Sequence, residues 1–281
     1  MLSYRHSFHA GNFADVLKHA VLSLLLEALR HKDKPFFYLD THAGAGRYDL
    51  NAPAAQKNRE FADGIERILS RSDAPPELAG YLAAVRSSQG QGRRLRHYPG
   101  SPYIARRHLR PGDRMALTEL HPSDFAALRG LFAGDRQVQV ENEDGYQAVK
   151  ALLPPRERRG LVLFDPAFER REENTRLLEA LQNAHRRWAS GTFALWLPIQ
   201  SSDTHAAFLR RVRATGIANI LQAELTIAPE SPLLGLCGTA MLVVNPPWKL
   251  DEQLNRLLPW LWQALSRHGL GGWRVEWLAA K

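Results

Sequence analysis

Apolar residues recur at helical spacing over residues 12–30, with Leu17, Ala20, Val21, Leu24, Leu25 and Ala28 on one face. Asn12 is a good N-cap for this helix, and Asp15, three residues on, makes a capping-box-like start. The period then changes. Phe36-Phe37-Tyr38-Leu39 is a short apolar run ending at Asp40, and it reads as a strand. Similar runs follow at Met115-Ala116-Leu117-Thr118, ending at Glu119; at Val138-Gln139-Val140-Glu141, followed by Glu143-Asp144-Gly145; at Leu161 to Phe164; and at Thr192 to Leu197. Ile217 to Ile227 and Thr239 to Val244 flank a Pro/Gly-rich stretch and predict an antiparallel hairpin. A helix over 252–267 and a last short strand, Trp273 to Leu278, close the chain. The alternation predicts an α/β fold with a doubly wound, mostly parallel sheet of seven strands.

Residues 48–97 break this rhythm. They hold two helical stretches, Glu60 to Ser70 and Glu77 to Ser87, a Pro75-Pro76 turn and a Gly/Arg-rich linker, Gln89 to Arg96, with no strand pattern. Ser101-Pro102 then restarts the main rhythm as an N-cap followed by proline at the first helical position. The expected organisation is a discontinuous domain, 1–47 and 98–281, interrupted by a helical subdomain at 48–97.

The turn after the first strand is Thr41-His42-Ala43-Gly44-Ala45-Gly46. A Gly-rich turn there is the nucleoside-binding element of a Rossmann-like sheet, although the third glycine of the dinucleotide fingerprint is missing. Such sites place a carboxylate at the end of the second strand, about 20 residues past the glycines, to bind ribose hydroxyls. Glu119 comes much later, and removing 48–97 restores a near-normal interval. The late acid therefore locates the insertion.

The fourth strand stops at Asp165-Pro166-Ala167-Phe168. Pro166 cannot donate to a strand ladder, so a carboxylate, a rigid turn and an aromatic ring are left at the edge of the sheet. The carboxylate can accept from an amine and the ring can stack on a base, a pairing suited to chemistry on an exocyclic amino group.

Composition adds a partner. The net charge is +8, and arginines cluster at 93–97, 106–107, 156–159, 170–171, 186–187 and 210–211. A polyanion is the natural reading, since Arg suits phosphate. The run at 93–97 is the best RNA candidate because it sits where the insertion rejoins the core. The single cysteine, Cys237, excludes internal disulfides and Cys-based zinc fingers and fits a reducing, cytoplasmic setting. No apolar stretch of about 20 residues exists, so no membrane span is expected.

The Asp165-Pro166-Ala167-Phe168 turn resembles the Asp/Asn-Pro-Pro-aromatic motif of amino-methyltransferases. The N terminus narrows this, with Tyr4, Arg5, His6, Phe8, His9, Gly11, Asn12, Asp15, Lys18 and His19 in order. Together with Tyr38 to Tyr48, Tyr98 to Pro102, Leu117 to Asp124 and Asn245 to Lys249, it closely resembles the 23S ribosomal RNA adenine-N6 methyltransferase J family. The resemblance implies a monomeric, S-adenosylmethionine-dependent enzyme of Rossmann-like fold that methylates N6 of one adenine in 23S ribosomal RNA, naked or partly assembled. It also implies roles. His19 and His42 would line the cofactor pocket, Ser101 would contact the methionine portion, Glu119 the ribose, and Glu143 and Asp144 the adenine end. Asp165 would be the catalytic acceptor, at the cofactor as well. Tyr4 would touch RNA, Lys18 would stand near the active site and Phe168 would stack on the base. The family usually has Asp-Pro-Pro-Tyr, so Ala167 loosens the turn and Phe168 lacks a hydroxyl.

Other readings compete. His6, His9, Asp15, His19 and His42 could be grouped as metal ligands, but 11 histidines make chance grouping the stronger account, and no metal is expected. Asp15 could instead pair with Lys18 or His19 on one helix face. Asn245-Pro246-Pro247-Trp248 spells the amino-methyltransferase motif better than Asp165 does, but an antiparallel seventh strand would put it at the wrong edge. A methyltransferase of the same fold acting on DNA or another RNA adenine is the nearest alternative. A nicotinamide-dependent oxidoreductase would share the Gly turn and Glu119, and a non-catalytic RNA-binding protein would share the charge.

Overall fold

A computed structural model describes residues 5–89, 94–231 and 235–279. In chain order it comprises α1 (Phe13–Arg30), β1 (Phe37–Asp40), β2 (Arg47–Asp49), α2 (Pro53–Asn58), α3 (Ile65–Leu69), α4 (Ala79–Ser87), β3 (His97–Pro99), α5 (Ser101–His108), β4 (Arg114–Thr118), α6 (Pro122–Leu131) and β5 (Val138–Glu141). The second half adds α7 (Gly145–Leu152), β6 (Gly160–Phe164), α8 (Glu173–Arg187), β7 (Thr192–Ile199), α9 (Ser202–Ala214), β8 (Ile220–Thr226), β9 (Gly238–Val244), α10 (Leu250–Leu265) and β10 (Gly272–Ala279).

The main sheet runs β10-β8-β9-β7-β6-β1-β4-β5. Strands β5, β4, β1, β6 and β7 are parallel neighbours, with Asp40 level with Leu117 and Leu163 at the carboxyl end. The expected α/β, Rossmann-like architecture is therefore present, with one correction. The sheet has eight strands, not seven, because β10 pairs antiparallel with β8 along its whole length. Few positions of β10 are buried, so it lacks the apolar run that marks the inner strands. β9 runs antiparallel to both β7 and β8, as the hairpin signal required.

One face of the sheet packs against α1, α5 and α10, the other against α7, α8 and α9. Asn12 caps α1 by accepting from the Asp15 amide. The helix is buried from Phe13 through Leu26 on every side, not on the single face its pattern suggested. The reason is the chain between β1 and β4. Phe61, Ile65, Ile68, Leu78, Tyr81 and Val85 join the same apolar cluster as Leu17 and Leu24 and cover the outer side of α1.

Residues 48–97 also carry strand structure that the pattern did not show. β2 and β3 pair antiparallel, Arg47 with Pro99 and Asp49 with His97. Each has three residues, too few for alternation to register. This ribbon closes the segment where it leaves and rejoins the main sheet. Among the described residues, no helix is long and apolar enough to cross a membrane.

Candidate active site

The carboxyl ends of β1, β4, β5, β6 and β7 and the start of α1 enclose a cavity of about 630 Å³. It lies where open α/β sheets bind their ligands. At β1, the turn holds Gly44 at φ +59° and Gly46 at φ +75°. A Cβ on Gly44 would stand 2.2 Å from the Tyr48 hydroxyl oxygen, so the turn has no room for a side chain there. The Gly44 amide donates to Glu119 Oε2 at 2.7 Å, and the His121 amide donates to Oε1 at 2.7 Å. Burial raises the Glu119 pKa while these two amides act against it.

The adjoining acids are also fixed. Asp144 caps α7 by accepting from the Tyr146 amide at 2.9 Å, and its Oδ2 accepts from Arg176 at 2.6 Å. The Arg176 guanidinium lies 4.8 Å from the centre of the Tyr146 ring, whose hydroxyl donates to Glu173 at 2.8 Å. A Cβ on Gly145 would fall 1.9 Å from the Thr41 carbonyl oxygen, so the β1 and β5 turns touch through main chain.

Beneath the Gly turn, Asp40 is fully buried and accepts from the Tyr38 hydroxyl at 2.7 Å. Burial pushes its carboxyl up to about 6, against hydrogen bonds from Ser101 and Tyr38. Burial pulls the His42 imidazole down to about 4, and its ring meets Tyr146 edge-on with centroids 5.1 Å apart. His19 hydrogen-bonds the Tyr98 hydroxyl at 2.8 Å, and Tyr98 bonds Tyr81 at 2.9 Å. Burial pulls His19 down to about 3, so it is neutral at physiological pH.

Asp165 follows β6 directly. Lys18 Nζ donates to its Oδ2 at 2.6 Å, stands 2.9 Å from Asp15 Oδ1 and lies 5.4 Å from the centre of the Trp196 ring. Two carboxylates hold the Lys18 ammonium charged, raising its pKa in spite of burial. Phe168 sits at φ +52°, an uncommon conformation for a bulky residue, and packs T-shaped on Trp196 at 5.8 Å.

His19, His42, Ser101, Glu119, Glu143, Asp144, Asp165, Lys18 and Phe168 thus all line one cavity. Tyr4 lies outside the described residues, as does Arg93 of the basic run; Arg94 and Arg96 are exposed. The sequence reading missed Trp196 and Arg176. Trp196 stands inside an apolar strand run that gives it no separate signal, and its half-buried position toward the cavity is set by the sheet. Arg176 carries no local signal, because its partner Asp144 is remote in the chain. Asn245 is not among the lining residues. Its Nδ2 donates to the Ala189 and Gly191 carbonyls, both at 2.8 Å, which ties the loop before β7 to the end of β9.

A family model described as "Ribosomal RNA large subunit methyltransferase D, RlmJ" matches residues 33–279. The chain belongs to the RlmJ family. It is 48% identical to Ribosomal RNA large subunit methyltransferase J of Escherichia coli strain K12, over 99% of both chains. Its identity to the protein of the same name from Haemophilus influenzae is 46%, again over 99% of each. The crystal structure of protein LPL1258 from Legionella pneumophila superimposes with a TM-score of 0.88 at 36% identity, covering 96% of this chain and 98% of that one. The RlmJ family match begins at residue 33, after α1, although Lys18 and His19 of that helix line the cavity.

Proposed function

We propose that this chain transfers a methyl group from S-adenosylmethionine to N6 of an adenine in 23S ribosomal RNA. It acts in the cytoplasm, as a monomer, on RNA that is naked or partly assembled. The observation that carries this reading is the convergence, in one cavity, of the Gly turn with Glu119 and of Asp165 with Phe168. The residues fit the cofactor. A side chain at Gly44 would meet the Tyr48 hydroxyl and one at Gly145 the Thr41 main chain, so both turns lining the cavity stay bare there, and Glu119 and Asp144 stand at the ends of β4 and β5 as acceptors for ribose hydroxyls and an adenine amine. When bound, S-adenosylmethionine supplies an electrophilic methyl group.

The protein's own part is positioning and charge. An adenine amine is a poor nucleophile because its lone pair is delocalised into the ring. Asp165 accepts from its N–H and favours a tetrahedral nitrogen aligned with the methyl group. Phe168, backed by Trp196, offers a face to the base. The proton leaves after transfer, so Asp165 need not deprotonate the neutral amine. The adenine must be out of its stack to reach this cavity, which favours a bulge or helix end as target. Mass mapping of 23S ribosomal RNA from a strain lacking the gene tests the reading. One adenine is expected to lose its methyl group and to regain it when the transcript is incubated with the protein and S-adenosylmethionine. An unchanged adenine methylation pattern would remove this substrate.

A further inference from the structure

We propose that Asp15 is a positioning residue of this site, fixing the Lys18 ammonium so that Asp165 presents one defined oxygen to the incoming amine. The inference rests on the methyltransferase reading above and assigns a role within the same site. Asp15 stands where a capping-box acid would stand, three residues after the N-cap. Its carboxylate does something else. The helix start is already satisfied, because Asn12 Oδ1 accepts the Asp15 amide at 2.9 Å and the Asn12 amide donates to the His9 carbonyl at 3.0 Å. Asp15 Oδ2 instead accepts from His6 Nε2 and from the Gly11 amide, both at 2.8 Å, while Oδ1 lies 2.9 Å from Lys18 Nζ. The side chain is 1% exposed. A buried carboxylate on a helix already capped by its neighbour has a strong reason to be there only if its partners need it.

Those partners form one line, from His6 through Asp15 and Lys18 to Asp165. A lysine stem is long and flexible, and with Asp165 as sole partner its ammonium could straddle both carboxylate oxygens. The second anchor, one helical turn away at Asp15, holds Nζ to Asp165 Oδ2. Oδ1 is then left as the acceptor for the amine. The Trp196 ring lies below the same ammonium, so the lysine is fixed between two acids and an aromatic face. The same acid gathers the stretch from His6 to Gly11 at the mouth of the cavity.

The test uses the full chain, a 23S ribosomal RNA transcript and labelled S-adenosylmethionine. In Asp15→Asn and Asp15→Ser, kcat is expected to fall about 10- to 100-fold, the range for a reacting group misplaced by about 1 Å. KM for RNA and Kd for S-adenosylhomocysteine are expected to stay within about threefold, because both Asp15 oxygens are engaged by His6, the Gly11 amide and Lys18. A kcat within threefold of wild type in either folded variant overturns the proposal, and so does a loss confined to KM or Kd. Failure of both variants to fold would assign Asp15 to the fold and equally overturn it. A wild-type chain that transfers no methyl group overturns the parent reading and this proposal together.

Discussion

The main-chain amide of Gly44 donates to Glu119 Oε2 at 2.7 Å across 75 positions of sequence. The bond joins the turn after β1 to the end of β4, and it spans residues 48–97. The carboxylate proposed to bind a ribose is thus held by the glycine turn after β1. Replacing Glu119 with alanine removes an acceptor from two amides and, on the proposed reading, from the ligand. Charge-assisted hydrogen bonds contribute about 1.5–3 kcal/mol each. Kd for S-adenosylhomocysteine is expected to rise about 10- to 100-fold by calorimetry, and an unchanged Kd would take Glu119 out of the cofactor site.

Asp165 and Asn245 are expected to separate by function. Asp165→Ala is expected to lower kcat at least about 10²-fold, the typical cost of losing one preorganised transition-state partner. Asn245→Ala is expected to leave kcat near wild type and to cost about 2–3 kcal/mol in urea unfolding, from its side-chain hydrogen bonds to Ala189, Gly191 and Asn219 at about 1 kcal/mol each. If Asn245→Ala abolished transfer in a folded, cofactor-binding chain and Asp165→Ala did not, the roles would be reversed.

Ala167 precedes a phenylalanine held at φ +52°. Proline at 167, the residue usual in the family, would narrow the conformations open to this turn. Ala167→Pro is expected to stabilise the fold by about 0.4–1 kcal/mol and to leave kcat at or above the wild-type value. Steady-state kinetics on the transcript decide it, and a lower kcat would show that the alanine turn is the better fit for this chain.

Acid is expected to destabilise the fold below pH 6.5. Burial pulls His19 down to about 3, and His42 and His108 to about 4. Between pH 6.5 and 4 the unfolded chain binds protons at these sites and the folded chain does not, so stability falls as pH falls. At pH 5 the loss is about 2 kcal/mol per imidazole. Asp40, pushed up to about 6, works the other way, because the folded chain takes up its proton first. It offsets about 1 kcal/mol at pH 5. Urea unfolding at pH 7.5 and 5 is expected to differ by about 4–5 kcal/mol, and His19→Gln to reduce that difference by about 2 kcal/mol. A stability independent of pH over this window would contradict the burial of these imidazoles.

Affinity for the transcript is expected to fall more than about tenfold between roughly 50 and 200 mM salt, since released counterions dominate binding by a basic protein. Filter binding at several salt concentrations measures the slope. A flat dependence would exclude phosphate contacts as the main source of affinity.

Much of this molecule is local in origin. The strand runs ending at Asp40, Glu119 and Asp165, the Gly turn and the N-cap at Asn12 are each written within a few consecutive residues, because a strand end or a helix start depends on neighbours in the chain. The ribbon of β2 and β3 was not legible, because three-residue strands carry no period, and β10 joined the sheet without a buried run to announce it.

The site's electrostatics belong to the tertiary structure. Asp15 reads in sequence as a helix cap or as a partner of Lys18 or His19, and only the packing of α1 across the sheet brings Lys18 within 2.6 Å of Asp165, 147 residues away. Trp196 and Arg176 enter the cavity by the same route. Asn245 spells the better motif, yet the reversed direction of β9 carries it away from the cavity. Sequence by itself determined which residues end the strands. Tertiary structure decided which of those ends meet, because hydrogen bonds, ion pairs and burial depend on distances that chain order does not specify.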